Sequence, residues 1–159
     1  MSWSRRALLL GATAVAGCGF RPLHGAGTGL RGRVTLDGPQ GRNGFAFREQ
    51  MRRNLGDPAP DAPYRLITTL SYEEEGVAIS RRDDITRYDV TATAQYRLVR
   101  AADGVEIDAG AVRAVSAYST TAAPYATRIA ERDTETRLAA NLADRVHARI
   151  SVATLPSGG

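Results

Sequence analysis

Few side chains in this sequence could act as catalysts or metal ligands. Its one cysteine is Cys18 and its two histidines are His24 and His147, which excludes an internal disulfide and disfavours a zinc enzyme. Neither histidine lies near a Gly-x-Ser-x-Gly nucleophile motif. The acids at 73–75 and 83–84 lack calcium-loop spacing, and consecutive acids of a strand point to opposite faces. We therefore predict no enzymatic activity, no metal and no cofactor.

The cysteine stands at the end of a short apolar segment. Arg5 and Arg6 precede an apolar run over residues 7–16, which is far shorter than the roughly 20 residues of a membrane-spanning helix. Positive charges followed by a short apolar run are typical of a secretory signal peptide. Val15-Ala16-Gly17-Cys18 is similar to the bacterial lipobox, where small residues admit the peptidase and a thiolate accepts the lipid. We predict cleavage between Gly17 and Cys18 and lipidation of Cys18.

The export route stays open at this stage. Residues 4–9, Ser-Arg-Arg-Ala-Leu-Leu, resemble a twin-arginine signal, but the general route needs only the positive charge. Gly19 follows the cysteine in place of the aspartate that retains enterobacterial lipoproteins in the inner membrane. By that resemblance, we expect an outer-membrane lipoprotein that faces the periplasm.

All of the basic residues are arginine. The chain has 21 of them against 17 acids, and removing Arg5 and Arg6 leaves 19 against 17, a net charge of only +2. Nucleic-acid binding is therefore not expected. Arg81 and Arg82 lie at a predicted turn and Arg87 lies on the polar face of a predicted strand. Guanidinium groups suit phosphate, so these three are candidate phosphate contacts, and solvated surface charge is the alternative.

The first half of the mature chain predicts a strand and a helix. Residues 33–36 form a short strand candidate, and 44–55 form a helix whose face carries Phe47, Met51 and Leu55. Asn43 is the predicted N-cap of this helix. The proline-rich residues 57–63 cannot continue the helix and read as a connector.

Three strands and a long helix are predicted after the connector. The strands cover 64–72, with a possible continuation to 79, then 88–98 and 105–118, and short connections favour an antiparallel meander. A helix of about 25 residues follows Pro124, with Ile129, Leu138 and Leu142 on its apolar stripe and Arg132–Glu135 as an ion pair.

This order predicts an α+β fold of two layers. We expect a four-stranded, mostly antiparallel sheet with both helices packed on one face. The core should contain eight side chains of these elements, namely Phe47, Met51, Leu66, Leu70, Val90, Leu98, Leu138 and Leu142. We predict a signal peptide at 1–17, a lipid-anchored linker at 18–29, a single domain at 30–153 and a disordered tail at 154–159.

Two segments resemble a known family. Residues 18–25, Cys-Gly-Phe-Arg-Pro-Leu-His-Gly, resemble the opening of alphaproteobacterial lipopolysaccharide-assembly lipoproteins, the LptE family, in which tyrosine is usual in place of His24. The pattern between residues 125 and 144 resembles the last helix of that family, and the order of elements is also similar.

The resemblance implies a non-enzymatic role. Members of the family plug the outer-membrane β-barrel LptD, assist its assembly and help to deliver lipopolysaccharide to the outer leaflet. Arg81, Arg82 and Arg87 would then be candidates to contact the phosphates of lipopolysaccharide. The alternative is a periplasm-facing lipoprotein that binds a small ligand or another envelope complex.

Overall fold

Four strands and two helices make up the fold. The computed structural model describes residues 29–79 and 85–154. In chain order the elements are β1 (Val34–Asp37), α1 (Gly41–Leu55), β2 (Tyr64–Ile79), β3 (Ile85–Arg100), β4 (Glu106–Ser119) and α2 (Pro124–Ala153). The predicted order of strand, helix, three strands and helix is confirmed, and β2 does continue to Ile79.

The strands form one mixed sheet in the order β1-β2-β3-β4. Strands β2, β3 and β4 are antiparallel neighbours, as short connections require. Strand β1 pairs in parallel with the start of β2, from Val34 opposite Tyr64 to Asp37 opposite Ile67, and α1 is the crossover between them. The predicted α+β fold with a mostly antiparallel sheet is therefore confirmed.

Both helices cover the same face of the sheet, and the core lies between the two layers. The predicted core side chains are buried, except that Leu70 is half-buried against the cluster. Alternation along β3 places Val90, Ala92, Ala94, Tyr96 and Leu98 under the helices. The period-2 pattern thus correctly predicted which face of this strand packs against the helices.

Two predictions about the N-terminal parts of the helices were wrong, namely the N-cap of α1 and the burial of Ile129 in α2. Helix α1 begins at Gly41 with Gln40 as its N-cap residue, so Asn43 lies inside the helix instead of capping it. Ile129 is 45% exposed, and the buried residues of α2 begin only at Thr134. The apolar period continues through the first turns of α2, but periodicity cannot reveal where a helix first meets its sheet.

Glu135 does not pair with Arg132 as predicted. Its carboxylate accepts hydrogen bonds from the Arg42 guanidinium at 2.7 Å and from the Asn43 amide at 3.0 Å. Gln50 and Asn54 of α1 likewise donate to Asp144 of α2, at 2.7 and 2.8 Å. Side chains at both ends of α1 thus join the two parallel helices. Glu135 pairs with residues of the other helix instead of with its neighbour Arg132.

Candidate functional site

The predicted functional residues divide between the described and undescribed parts of the chain. Cys18, the predicted lipidation site, and Gly17, on the other side of the predicted cleavage point, lie outside the described residues. Arg81 and Arg82 also lie outside them, between the ends of β2 and β3. Only Arg87 can be placed. It lies on β3 close to this hairpin, which agrees with the predicted order of strand and turn.

Arg87 lies on the face of the sheet that the helices leave uncovered. Its Nε atom is 3.6 Å from the Asp89 carboxylate, and the side chains of the two residues are 55% and 42% exposed. Arg87 and Asp89 are two residues apart on β3, so their side chains lie on the same face of the sheet. An exposed pair of this kind contributes little to stability, and the guanidinium retains donors that can reach a phosphate.

The uncovered side of the sheet, here called the open face, carries short polar and small side chains together with charged ones such as Arg97, Arg113 and Glu73. Val115 is the most exposed apolar residue there, at 65%. The register across β2, β3 and β4 places together the polar residues Thr69, Ser71, Thr91, Thr93 and Gln95 and the small residues Ala109, Ala111 and Ala117. A surface of hydroxyl, amide, methyl and charged groups suits contact with a polar wall better than it suits a deep ligand pocket.

Two tyrosines stack near the end of the sheet where β2 and β3 turn, here called the hairpin end. Tyr88 and Tyr118 are register partners whose ring centroids are 5.4 Å apart. The Tyr118 hydroxyl donates to the Glu74 carboxylate. Burial first, and then Glu74, raises the pKa of Tyr118. The alternation of each strand placed both tyrosines on the helix side, but their pairing required the register.

The hairpin end also exposes apolar side chains. Val77, Ile85 and Tyr125 are 46%, 40% and 76% exposed, and the exposed Ile129 lies one turn after Tyr125. The Thr120 hydroxyl donates to the Ile85 carbonyl at 2.9 Å, which joins the end of β4 to the start of β3 just before α2 begins. This end of the domain, where β2 ends and β3 begins, therefore has an aromatic and aliphatic surface.

A polar cluster lies where β2 meets both helices. The Tyr72 hydroxyl is buried and forms no hydrogen bond with the described residues. Burial, followed by the Glu135 carboxylate, raises the pKa of Tyr72 to about 12, while Arg42 opposes the shift. A buried hydroxyl without a partner is costly, so this cluster is less stable than an apolar contact of the same size would be.

Two cavities open at the surface. A groove of about 220 Å³ lies beside β1 and is lined by Val34, Leu36, Met51 and Leu55 among others. A second cavity, of about 410 Å³, lies between β4 and the end of α2. In it the Tyr96 hydroxyl donates to Asp108 at 3.0 Å, and burial, followed by that carboxylate, raises the pKa of Tyr96.

The one histidine among the described residues lies on α2. His147 and Ser151 lie one turn apart on α2, with 3.4 Å between Nε2 and Oγ. This distance is long for a hydrogen bond to a hydroxyl, and the spacing is that of ordinary helix neighbours. Over residues 29–79 and 85–154, no group of three histidine, cysteine or acidic residues could hold a metal. No helix in those ranges is long and apolar enough to cross a membrane.

A family model described as "LptE: Lipopolysaccharide-assembly" matches residues 32–150, which include all six elements except the last three residues of α2. The match covers about three-quarters of the chain. The chain belongs to the LptE family. The resemblance inferred from the opening octapeptide and the last helix is thereby confirmed. No curated protein matches the sequence.

Solved structures of bacterial lipoproteins share the fold. A lipoprotein from Caulobacter crescentus is 26% identical and superposes with a TM-score of 0.60, covering 77% of this chain and 91% of its own. The rare lipoprotein B from Shewanella oneidensis is 16% identical, with a TM-score of 0.56 and coverage of 75% and 93%. A minor lipoprotein from Acinetobacter baumannii is 14% identical, with a TM-score of 0.59 and coverage of 80% and 96%.

Family membership assigns this protein to lipopolysaccharide assembly. The Caulobacter protein, at 26% identity, is a lipoprotein, which agrees with a lipoprotein of the cell envelope. The structural comparisons with the Shewanella and Acinetobacter proteins concern the fold alone, since their sequences have diverged widely from this one.

Proposed function

We propose that this LptE-family protein is a lipid-anchored, periplasm-facing lipoprotein of the outer membrane that plugs the LptD β-barrel. In this role it assists assembly of the barrel and delivery of lipopolysaccharide to the outer leaflet, and it catalyses no reaction. The observation that carries the proposal is the family match over residues 32–150, together with a domain whose helices all pack on one face of its sheet.

The surface of the domain supports a plug. Helices α1 and α2 bury the apolar face of the sheet, while the open face presents threonine, serine, glutamine and alanine side chains together with charged ones such as Arg97 and Arg113. The lumen of an outer-membrane barrel is polar. It can therefore contact a face of polar and charged side chains without burying much apolar surface. The exposed ion pairs on this face, such as Arg97–Glu106 at 3.1 Å, can exchange partners at low cost.

The size of the domain restricts the barrel that can hold it. Strands of 16 residues are about 50 Å long, and four strands under a helical layer are roughly 25 Å across. Barrels of 16–18 strands enclose only a channel, whereas a barrel of about 22 strands has a lumen that holds a plug. We therefore expect a partner barrel with more strands than a porin.

The lipid anchor lies within reach of the domain. Lipidation of Cys18 would leave 11 residues before the described chain begins at Gly29, and an extended chain of that length spans at most about 40 Å. A single chain of this length keeps the domain next to the inner surface of the outer membrane. A barrel embedded in the same membrane would then meet the domain at high effective concentration.

The main experiment is depletion combined with co-purification. A plug must co-purify with a large barrel protein in a fixed stoichiometry, and its depletion should lower both barrel assembly and surface lipopolysaccharide. A lipoprotein that binds a small ligand or another envelope complex would show neither effect. If depletion leaves barrel levels and surface lipopolysaccharide unchanged, the proposal is wrong.

The arginines near the hairpin end are the proposed contacts with lipopolysaccharide. Arg87 lies at that end of β3, and Arg81 and Arg82 lie in the segment between β2 and β3. Charge-assisted hydrogen bonds to phosphate contribute roughly 1.5–3 kcal/mol each, whereas exposed substitutions change stability by less than about 0.5 kcal/mol. These arginines should therefore affect binding far more than folding.

We expect Arg81→Glu with Arg82→Glu to melt near the wild-type temperature but to bind purified lipopolysaccharide at least tenfold more weakly. Arg97→Glu is the control, because Arg97 lies toward the opposite end of β3. The double variant should also complement a depleted strain poorly. Full binding and full complementation would make these arginines ordinary solvated charge, although the plug function could survive.

A further inference from the structure

Strand β2 has an unpaired backbone edge along most of its length. Strand β1 pairs with β2 only from Tyr64 to Ile67, whereas β2 runs on to Ile79 beside β3. Beyond Ile67, none of residues 29–79 or 85–154 forms a strand on the outer side of β2. An edge of this length is a template on which another strand can pair.

Hydrogen bonds at the start of β2 identify the residues whose backbone groups point outward. The Tyr64 amide donates to the Arg33 carbonyl at 3.2 Å, on the β1 side, and the Pro63 carbonyl accepts from Ala101, on the β3 side. Backbone groups alternate in direction along a strand. The amide and carbonyl groups of Leu70, Tyr72 and Glu74 therefore point away from β3, beyond the last position at which β1 pairs with β2. The Thr68 amide points the same way but meets the Asp37 carbonyl, because Asp37 and Ile67 are parallel register partners.

The side chains beside this edge are acidic and lack a positively charged partner. Glu73 and Glu75 lie on the open face, and neither forms an ion pair with the described residues. Their register partners on β3 are Thr91 and Asp89, and Asp89 already pairs with Arg87. On β3, Arg87 is the arginine next to Glu75 in register, but it pairs with Asp89. A cation on the outer side of β2 could therefore reach both glutamates.

This charge pattern selects between possible occupants. A second copy of the chain would bring its own glutamates against these, and opposed like charges destabilise paired strands. A strand with basic side chains at alternate positions would instead place one cation beside Glu73 and another beside Glu75. We propose that the edge of β2 from Leu70 to Glu74 binds an extended, basic segment of a partner polypeptide, which adds to the sheet as a further strand.

The experiment uses the full mature chain and a synthetic probe. The probe is a blocked peptide of alternating threonine and lysine, about eight residues long, which matches the free edge in length. Amide hydrogen exchange is measured residue by residue with and without it. We expect at least tenfold slower exchange at Leu70, Tyr72 and Glu74, and little change at Ser71, because its amide already faces β3.

Matched variants and peptides separate strand addition from simple charge attraction. Glu73→Gln with Glu75→Gln should weaken peptide binding on the order of tenfold, as expected for two exposed ion pairs. Asp57→Asn with Asp61→Asn, which removes the same charge from the connector before β2, should leave binding unchanged. A peptide of alternating threonine and glutamate should protect none of the amides of Leu70, Tyr72 and Glu74.

Three results would overturn the inference. Protection that is uniform along β2, or absent at saturating peptide, would show that no strand is added. Equal weakening by the two double variants would show that only net charge attracts the peptide. Protection that rises with protein concentration in the absence of peptide would show that a second copy is the occupant. None of these results depends on a barrel partner, so the inference and the proposed function can fail separately.

Discussion

Tyr72 allows a direct test of the polar cluster between β2 and the two helices. Its hydroxyl is buried without a hydrogen bond to the described residues, and its pKa is raised to about 12 by burial and by Glu135. The chain has no lysine, so tyrosine ionisation dominates the titration of side chains between about pH 9 and 12. The perturbation we consider is Tyr72→Phe, which removes the hydroxyl and keeps the ring.

The expected sign follows from the raised pKa. Below about pH 10, the tyrosine is neutral in both the folded and the unfolded chain, so its ionisation leaves stability unchanged. Between about pH 10 and 12, the unfolded chain loses the proton while the folded protein keeps it, so the free energy of unfolding falls as pH rises. The difference of about two between the folded and unfolded pKa of Tyr72 corresponds to about 2.7 kcal/mol in the free energy of unfolding. Because Tyr72 is only half-buried, solvent screening reduces this to about 1–2 kcal/mol.

The assay is urea denaturation of wild type and Tyr72→Phe at about pH 8 and pH 11.5. Near pH 8 the variant should be as stable as wild type, or more stable by up to about 1 kcal/mol, because no hydrogen bond is lost. Near pH 11.5 wild type should have lost about 1–2 kcal/mol more than the variant. Tyr125→Phe, whose ring is 76% exposed, is the matched control.

Two results would refute this reasoning. If Tyr72→Phe loses more than about 1 kcal/mol near neutral pH, the hydroxyl has a hydrogen-bond partner. If the variant and wild type lose the same stability on going to pH 11.5, the raised pKa of Tyr72 does not contribute to the alkaline transition.

Three further predictions concern the helices and the anchor. Arg42→Ala and Glu135→Ala in a double-mutant cycle should give a coupling energy of about 0.5–1 kcal/mol by urea denaturation, since the Arg42 side chain is 50% exposed. A coupling energy of zero would show that this ion pair does not stabilise the fold. Leu138→Asp places a charge at a site that is only 3% exposed and should prevent folding, whereas Arg137→Asp should keep a cooperative melt by circular dichroism; a native melt for Leu138→Asp contradicts the core assignment. Cys18→Ser should leave an uncleaved precursor in membranes, and mass spectrometry that finds an unmodified mature thiol at Cys18 would rule out lipidation.

Most of the elements could be predicted from the sequence because local periodicity specifies them. The alternation of β3 from Tyr88 to Leu98 could be satisfied only by a strand with one buried face, and the structure buries that face. The stripe from Leu138 to Ile150 likewise indicated the packed side of α2. The family was recognisable for a different reason, since the residues from Cys18 to Gly25 form a motif that is read without any fold.

The candidate site was only partly predictable. Alternation placed Arg87 on the open face correctly. It could not bring Tyr88 against Tyr118, because that contact depends on the register between two strands.

Tertiary structure decided which partner each side chain has. Glu135 had a local candidate three residues away, but it bridges to Arg42, which is 93 residues distant in sequence. The sequence predicted β1 as a strand, whereas only the sheet revealed that β1 pairs with four residues of β2 and leaves the rest of that edge open. Local patterns record how one element alternates between solvent and core. Partners, register and edges depend on where two distant segments meet, which is settled by the packing of the whole domain.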